Sequence, residues 1–240
     1  MLRLLHYIPI ITTVCSIIFA ARLYRHWRQK PHAYYLLWWF LGVVTYAVGT
    51  ITESYTTLFG WHLPVFKAWY ISGALLGGAP LAQGTVYLFF KTKTAHRMTA
   101  VLVTFITIAA IAVILSPVNY ALVETYRPSG KVLVWTWVRA FSPFINTYAL
   151  IFLAGGAAWS AWQYHRSQAS PARMWGNVMI AVGALLPGIG GTFTRFGYVE
   201  VLYVTELIGV LLIWRAYSIM THDAGASVHA NQQQTALPAT

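Results

Sequence analysis

Apolar residues run along this chain in long blocks, broken by short polar, basic and glycine- or proline-bearing stretches. A bilayer core of ~30 Å needs about 20 mostly apolar residues per helix. That length predicts seven spans, at 4–24, 33–55, 65–90, 98–117, 141–163, 174–193 and 199–220. The loops between them are short, so neighbouring helices are expected to pack antiparallel. The longest outer segment, 117–140, holds Asn119, Glu124, Arg127, Pro128, Gly130 and Lys131, then the run Val132 to Val138 with two tryptophans. It is read as a turn followed by a short interfacial helix. The expected fold class is all-α: residues 1–220 form an integral membrane seven-helix bundle, and 221–240 a disordered cytoplasmic tail.

Composition agrees. Of 240 residues, 58% are hydrophobic and only 9% charged, against about 25% charged in soluble domains. The mean hydropathy is +0.58. An ordinary cytosolic enzyme is excluded, and with Cys15 as the single cysteine, so are a disulfide scaffold and a cysteine zinc site.

Charge sets the orientation. Ten basic residues, Arg22 to Lys30 among them, fall on one side, with Lys91, Lys93, Arg97, Arg166, Arg173 and Arg215; six fall on the other. The positive-inside rule puts the N-terminus outside and the C-terminus inside, and tryptophans cluster near span ends as interfacial anchors. The net charge of +11 reflects this topology and contact with anionic membrane lipids, and no nucleic-acid partner is expected. The location implied is the bacterial cytoplasmic (inner) membrane.

Polar residues inside the bilayer are the candidates for function, because they are costly there. Glu206 lies roughly 10 Å below the outer end of the seventh span by the 1.5 Å rise per residue. Glu53 ends a face of the second span that runs Trp39, Gly42, Tyr46, Gly49. The third span carries Trp69, Gly73, Leu76, Pro80, Gln83 and Tyr87 on one row, and Gln83 needs hydrogen-bond partners at its depth. Pro80 after Gly77-Gly78 predicts a kink, and Pro187 among its glycines gives the sixth span the same option. Arg139, Ser142 and Asn146 share a face of the fifth. Glu53, Lys67, Arg139, Arg195 and Glu206 are expected to meet near the outer leaflet, opposite charges pairing. They would either tie helix ends together or line an outward-opening pocket with Trp69, Tyr70 and Tyr203. The ligand-binding candidates are therefore Glu53, Lys67, Trp69, Tyr70, Gln83, Arg139, Asn146, Tyr203 and Glu206.

No catalytic constellation emerges. Only His6 of eight histidines lies in a span, which disfavours a bis-histidine haem. No His-Glu-x-x-His occurs, and the last span lacks the lysine a retinal Schiff base requires. No cofactor or metal is expected. A faint repeat links Tyr24-Arg25-His26, Pro31 and Gly49-Thr50-Ile51-Thr52 to Tyr164-His165-Arg166, Pro171 and Gly191-Thr192-Phe193-Thr194. Most other glycines are read as close-packing positions.

Within 22–93, Trp38-Trp39, Gly49 and Glu53, then Lys67-Ala68-Trp69-Tyr70, Gly73, Pro80 and Tyr87, resemble the seven-helix N-terminal sensor region of bacterial histidine kinases. No kinase sequence follows Thr221 here. The resemblance implies a stand-alone sensing or binding bundle, with Glu53, Lys67, Trp69 and Tyr70 near its pocket. SWEET-type sugar transporters are a second comparison, through helix number, orientation and Pro9, Pro80, Pro143 and Pro187, although Asn146 and Asn177 sit at different depths. Three non-enzymatic readings stand: a sensor-like bundle binding a small apolar or amphipathic ligand or a membrane partner, a three-one-three small-solute transporter, and an accessory subunit of a larger membrane complex.

Overall fold

The computed structural model describes residues 4–194 and 196–235, with side chains through Asp223. The described residues are helical almost throughout, with isolated bridges and short 3-10 turns confined to the 116–140 loop and the N-terminus. Helix α1 is Ile8–Gln29, α2 Tyr34–Phe59, α3 Leu63–Trp69, α4 Ala79–Phe89 and α5 Thr92–Leu115; α6 is Phe141–Ala149, α7 Gly156–Ser167, α8 Pro171–Thr194 and α9 Val199–Thr235. Most of the tail after Thr221 lies outside the described side chains.

Five segments are long and apolar enough to cross a membrane: Leu4–Gln29, Tyr34–Phe59, Thr92–Leu115, Thr136–Ser167 and Pro171–Thr194. Their outward faces carry large apolar groups, such as Ile11, Val14, Ile17 and Ile18 on α1 and Ile108, Ile111, Ile114 and Leu115 on α5, all exposed. In water such faces would be an aggregation hazard; against acyl chains they cost nothing. The protein is a multi-pass membrane protein. Several helices outrun the apolar blocks, α1 as far as Gln29 and α5 back to Thr92, because hydropathy marks the bilayer portion and not the polar turns that continue the helix.

The third span is broken. Helix α3 passes into a π turn, Tyr70–Leu76, the helix breaks at Gly77 with φ +46° and ψ −125°, and α4 starts afresh at Ala79. Pro80 stands in the first turn of α4, where its missing N–H removes no helical hydrogen bond. The expected kink is thus a complete interruption, set by the glycine more than by the proline. The other segment expected to kink differs: α8 runs unbroken through Pro187. A second π turn, Leu150–Gly155, lies between α6 and α7.

Gly77→Ala tests the break. A Cβ there would lie 2.6 Å from Asn146 Oδ1, and L residues rarely adopt this φ. The variant is expected to lose roughly 2 kcal/mol against chemical unfolding in detergent. Adding Asn146→Ala should relieve the collision but leave the strain.

Glycines set the close helix crossings. At Gly42 a Cβ would meet the backbone nitrogen of Leu81 at 2.8 Å, and at Gly84 the indole of Trp39, so α2 and α4 cross backbone to backbone. Gly183 and Gly209 do the same for α8 and α9. Helix α9 also packs on α1, and α1 on α2.

The two ends of the bundle are marked by contacts. At one end His26 meets Tyr217, Tyr34 packs on Tyr87 and His96, and Arg173 pairs with Asp223 at 3.2 Å. At the other, Arg127 donates to the Thr194 carbonyl at 2.8 Å, and Trp61 packs on Tyr120. There residues 116–140 fold into a cap. Asn119 N–H donates to the Val132 carbonyl, and Val134 N–H to that of Pro117. Val132, Leu133 and Val138 are buried with Phe66, Tyr70 and Val113. The expected interfacial helix is only a 3-10 turn, Thr136–Ala140, running into α6; the apolar side chains before it are drawn into this small core instead of lying along the membrane surface.

Candidate functional site

Glu53 sits on the inward face of α2 and is 3% exposed. Trp69, the last residue of α3, donates its indole N–H to Glu53 Oε1 at 2.9 Å. From α9, Glu206 brings its carboxyl group beside that of Glu53. Each carboxyl keeps an inaccessible oxygen, Oε2, that no N–H or hydroxyl of the described residues reaches.

Aromatic side chains close the surroundings. Tyr46 donates its hydroxyl to the Glu206 carbonyl oxygen at 2.9 Å, locking α2 to α9 next to the pair. Tyr203, one turn before Glu206, is 1% exposed and packs edge-on against His6, ring centres 6.0 Å apart. Two carboxyl groups, an indole and two phenols from three separate chain segments therefore converge. Beyond Glu53, Thr57 is 2% exposed with its hydroxyl unsatisfied among the described residues.

Four of the predicted residues, Glu53, Trp69, Tyr203 and Glu206, come together here. The expectation that these acids pair with nearby cations gives way to contact between the acids themselves. Lys67 instead donates to the carbonyls of Ile114 and, at 3.3 Å, Ser116. A cation there satisfies carbonyls left open at the end of α5 and opposes its dipole, so Lys67 serves the cap. Tyr70 packs its ring over Gly130 of the same cap, with Arg139 within electrostatic reach. Asn146 lies against Gly77 at the helix break. Arg195 lies outside the described residues.

Gln83 belongs to a different cluster. It is fully buried, and its amide donates to Thr99 Oγ1 at 2.8 Å and to the Ala95 carbonyl at 3.2 Å. Tyr148 donates to Gln83 Oε1. Tyr87 hydrogen-bonds Thr99 at 3.0 Å and His96 Nδ1 at 2.7 Å. This crossbar ties α4, α5 and α6 together and leaves Gln83 satisfied, as burial in lipid demands. Sequence reasoning missed Tyr148, Thr99 and His96; nothing in their local pattern marks them, because the pairing is made by the fold. Tyr46 was legible as a member of the Glu53 face.

These features define a multi-pass membrane protein with an ionisable pair buried between helices. No family model, curated protein or solved structure matches the chain.

Proposed function

We propose that this is a non-enzymatic, sensor-like seven-helix bundle of the bacterial cytoplasmic membrane, N-terminus outside and C-terminus inside. Its working site is the Glu53–Glu206 pair. The broken third segment, Leu63 to Phe89, and α9 supply the two spans that complete the seven. The ligand is small and amphipathic, with a cationic or hydrogen-bond-donating head for the carboxyl oxygens and an apolar body for Trp69 and Tyr203. A signal would pass to another membrane protein or effector through the basic inner loops.

The observation that carries this reading is the contact of two buried carboxyl groups from α2 and α9. An apolar pair of similar size would hold the helices as well or better, so stability alone gives no reason to keep them. Intramembrane acids of this kind ordinarily mark a binding or relay site.

Native mass spectrometry from membranes tests the proposal. Wild type is expected to carry an adduct of defined small mass that Glu206→Gln lacks, both proteins remaining monodisperse. Identical spectra, with or without an adduct, would remove the pair as the binding site.

A transporter reading is favoured by one observation, the interruption of the third span at Gly77, since transporters place such breaks at their binding sites. Proton flux into proteoliposomes loaded with a pH-sensitive dye separates the two. A sustained flux abolished by Glu53→Gln favours transport; a flat trace favours the sensor.

A further inference from the structure

A groove of about 390 Å³ runs between α5 and α6 on the outside of the bundle. Its floor and walls include Val101, Phe105, Phe144 and Tyr148, and Arg97 stands at one end. A shallower depression shares Val101 and Phe105 and continues to Ile108. Residues 97, 101, 105 and 108 follow steps of four, four and three, so they form one continuous face of α5. From Arg97 to Ile108 that face is about 16 Å long at 1.5 Å per residue. One leaflet of a bilayer core is ~15 Å deep. The groove is therefore one acyl chain long.

Its chemistry is asymmetric. Lys93 lies one turn before Arg97 on the same face, and both are exposed. Neither α5 nor α6 contains an acidic residue. The basic end belongs to the same end of the bundle as Tyr34, Tyr87 and His96. An occupant must be apolar along its length and negatively charged at that end. We propose that the α5–α6 groove holds one acyl chain of an anionic phospholipid, with the phosphate seated on Lys93 and Arg97. Long basic side chains suit this position, since their stems run along the apolar wall while the charge reaches the headgroup layer.

The site does not depend on the carboxyl pair, but it touches the packing of the bundle. Tyr148 lines the groove and donates the hydrogen bond that ties α6 to Gln83 of α4. A chain lying in the groove packs against the tyrosine that fastens this crossbar.

The test is electron paramagnetic resonance of spin-labelled phosphatidylglycerol and phosphatidylcholine in proteoliposomes of the full chain. The motion-restricted signal should give phosphatidylglycerol a relative association constant up to about thirtyfold that of phosphatidylcholine, as expected for two basic side chains at the headgroup. Lys93→Gln with Arg97→Gln should bring the two lipids to parity. Arg25→Gln with Arg28→Gln, which removes equal charge elsewhere, should leave the preference intact. Val101→Trp, at an exposed position where the added ring fills the groove, should cut the restricted signal of both lipids. The proposal is overturned by equal association of the two lipids with wild type, or by a preference that survives loss of Lys93 and Arg97. It is equally overturned if the Arg25 and Arg28 changes abolish the preference, or if Val101→Trp leaves the restricted signal unchanged. Cross-linking of Val101→Cys into a dimer without restricted lipid would assign the groove to a second copy and also refute it.

Discussion

Glu53→Gln combined with Glu206→Gln should give a bundle at least as resistant to denaturation as wild type, and one that has lost its ligand. Glutamine keeps an oxygen for the Trp69 N–H, 2.9 Å from Glu53 Oε1 in the wild type, and one amide can donate to the other where the two carboxyl groups now face each other. The ionisable groups are gone and the hydrogen bonds remain. Exchanging buried ionisable groups for neutral ones that keep their hydrogen bonds removes the cost of burying charge, so the change should be neutral or stabilising. Glu53→Leu should behave in the opposite way. It strands the indole N–H of Trp69 and leaves Glu206 without its partner, a loss of about 2–3 kcal/mol from unsatisfied buried groups. Chemical unfolding of all three proteins in one detergent gives the comparison. If the double glutamine variant instead loses more than about 3 kcal/mol, on the scale of breaking a buried polar network, the pair is a structural clamp and its functional assignment fails.

The contrast shows which parts of the molecule were legible in its sequence. The placement of five long apolar helices follows from hydropathy alone, since the bilayer sets both length and composition; the third and seventh predicted spans do not stand among them. That Glu53 and Glu206 fall within helices was equally readable, by counting residues along the apolar blocks. Their mutual contact was not. Periodicity places a residue on a face of its own helix, but which faces meet depends on crossing geometry, here fixed by Gly42 against Leu81 and Gly183 against Gly209. Charge complementarity therefore suggested Lys67, Arg139 and Arg195 as partners; Arg195 lies outside the described residues, and the other two are engaged elsewhere for a physical reason. The open carbonyls at the end of α5 compete for Lys67, and the folded 116–140 loop holds Tyr70 and Arg139 on its own side. Gln83 announced that it needed partners; finding Tyr148 and Thr99 required the fold.

The α8–α9 hairpin carries the second large effect. A Cβ at Gly183 would stand 2.8 Å from the Gly209 carbonyl oxygen, and one at Gly209 would stand 2.7 Å from that of Gly183. These neighbours are backbone atoms, so no side chain can rotate away. Small residues drive such packing in lipid because helix association there rests on close van der Waals contact, with no hydrophobic gain from leaving water. Gly183→Ala should force the helices apart and cost about 1–3 kcal/mol through overpacking. Gly183→Leu should exceed that range and sharply lower the yield of monodisperse protein. The damage should extend to the carboxyl site, since Gly209 lies one turn beyond Glu206 and Tyr46 holds the Glu206 carbonyl from α2. In Gly183→Ala, tryptophan emission should therefore shift as Trp69 loses Glu53's ordered partner, in step with the loss of thermal stability. Gly188→Ala is the matched control, because a Cβ there meets nothing within 4 Å, and it should leave both readouts unchanged. Equal tolerance of alanine at Gly183 and Gly188 would mean that the close approach of α8 and α9 does not hold the site together, and that Glu206 is positioned by Tyr46 alone.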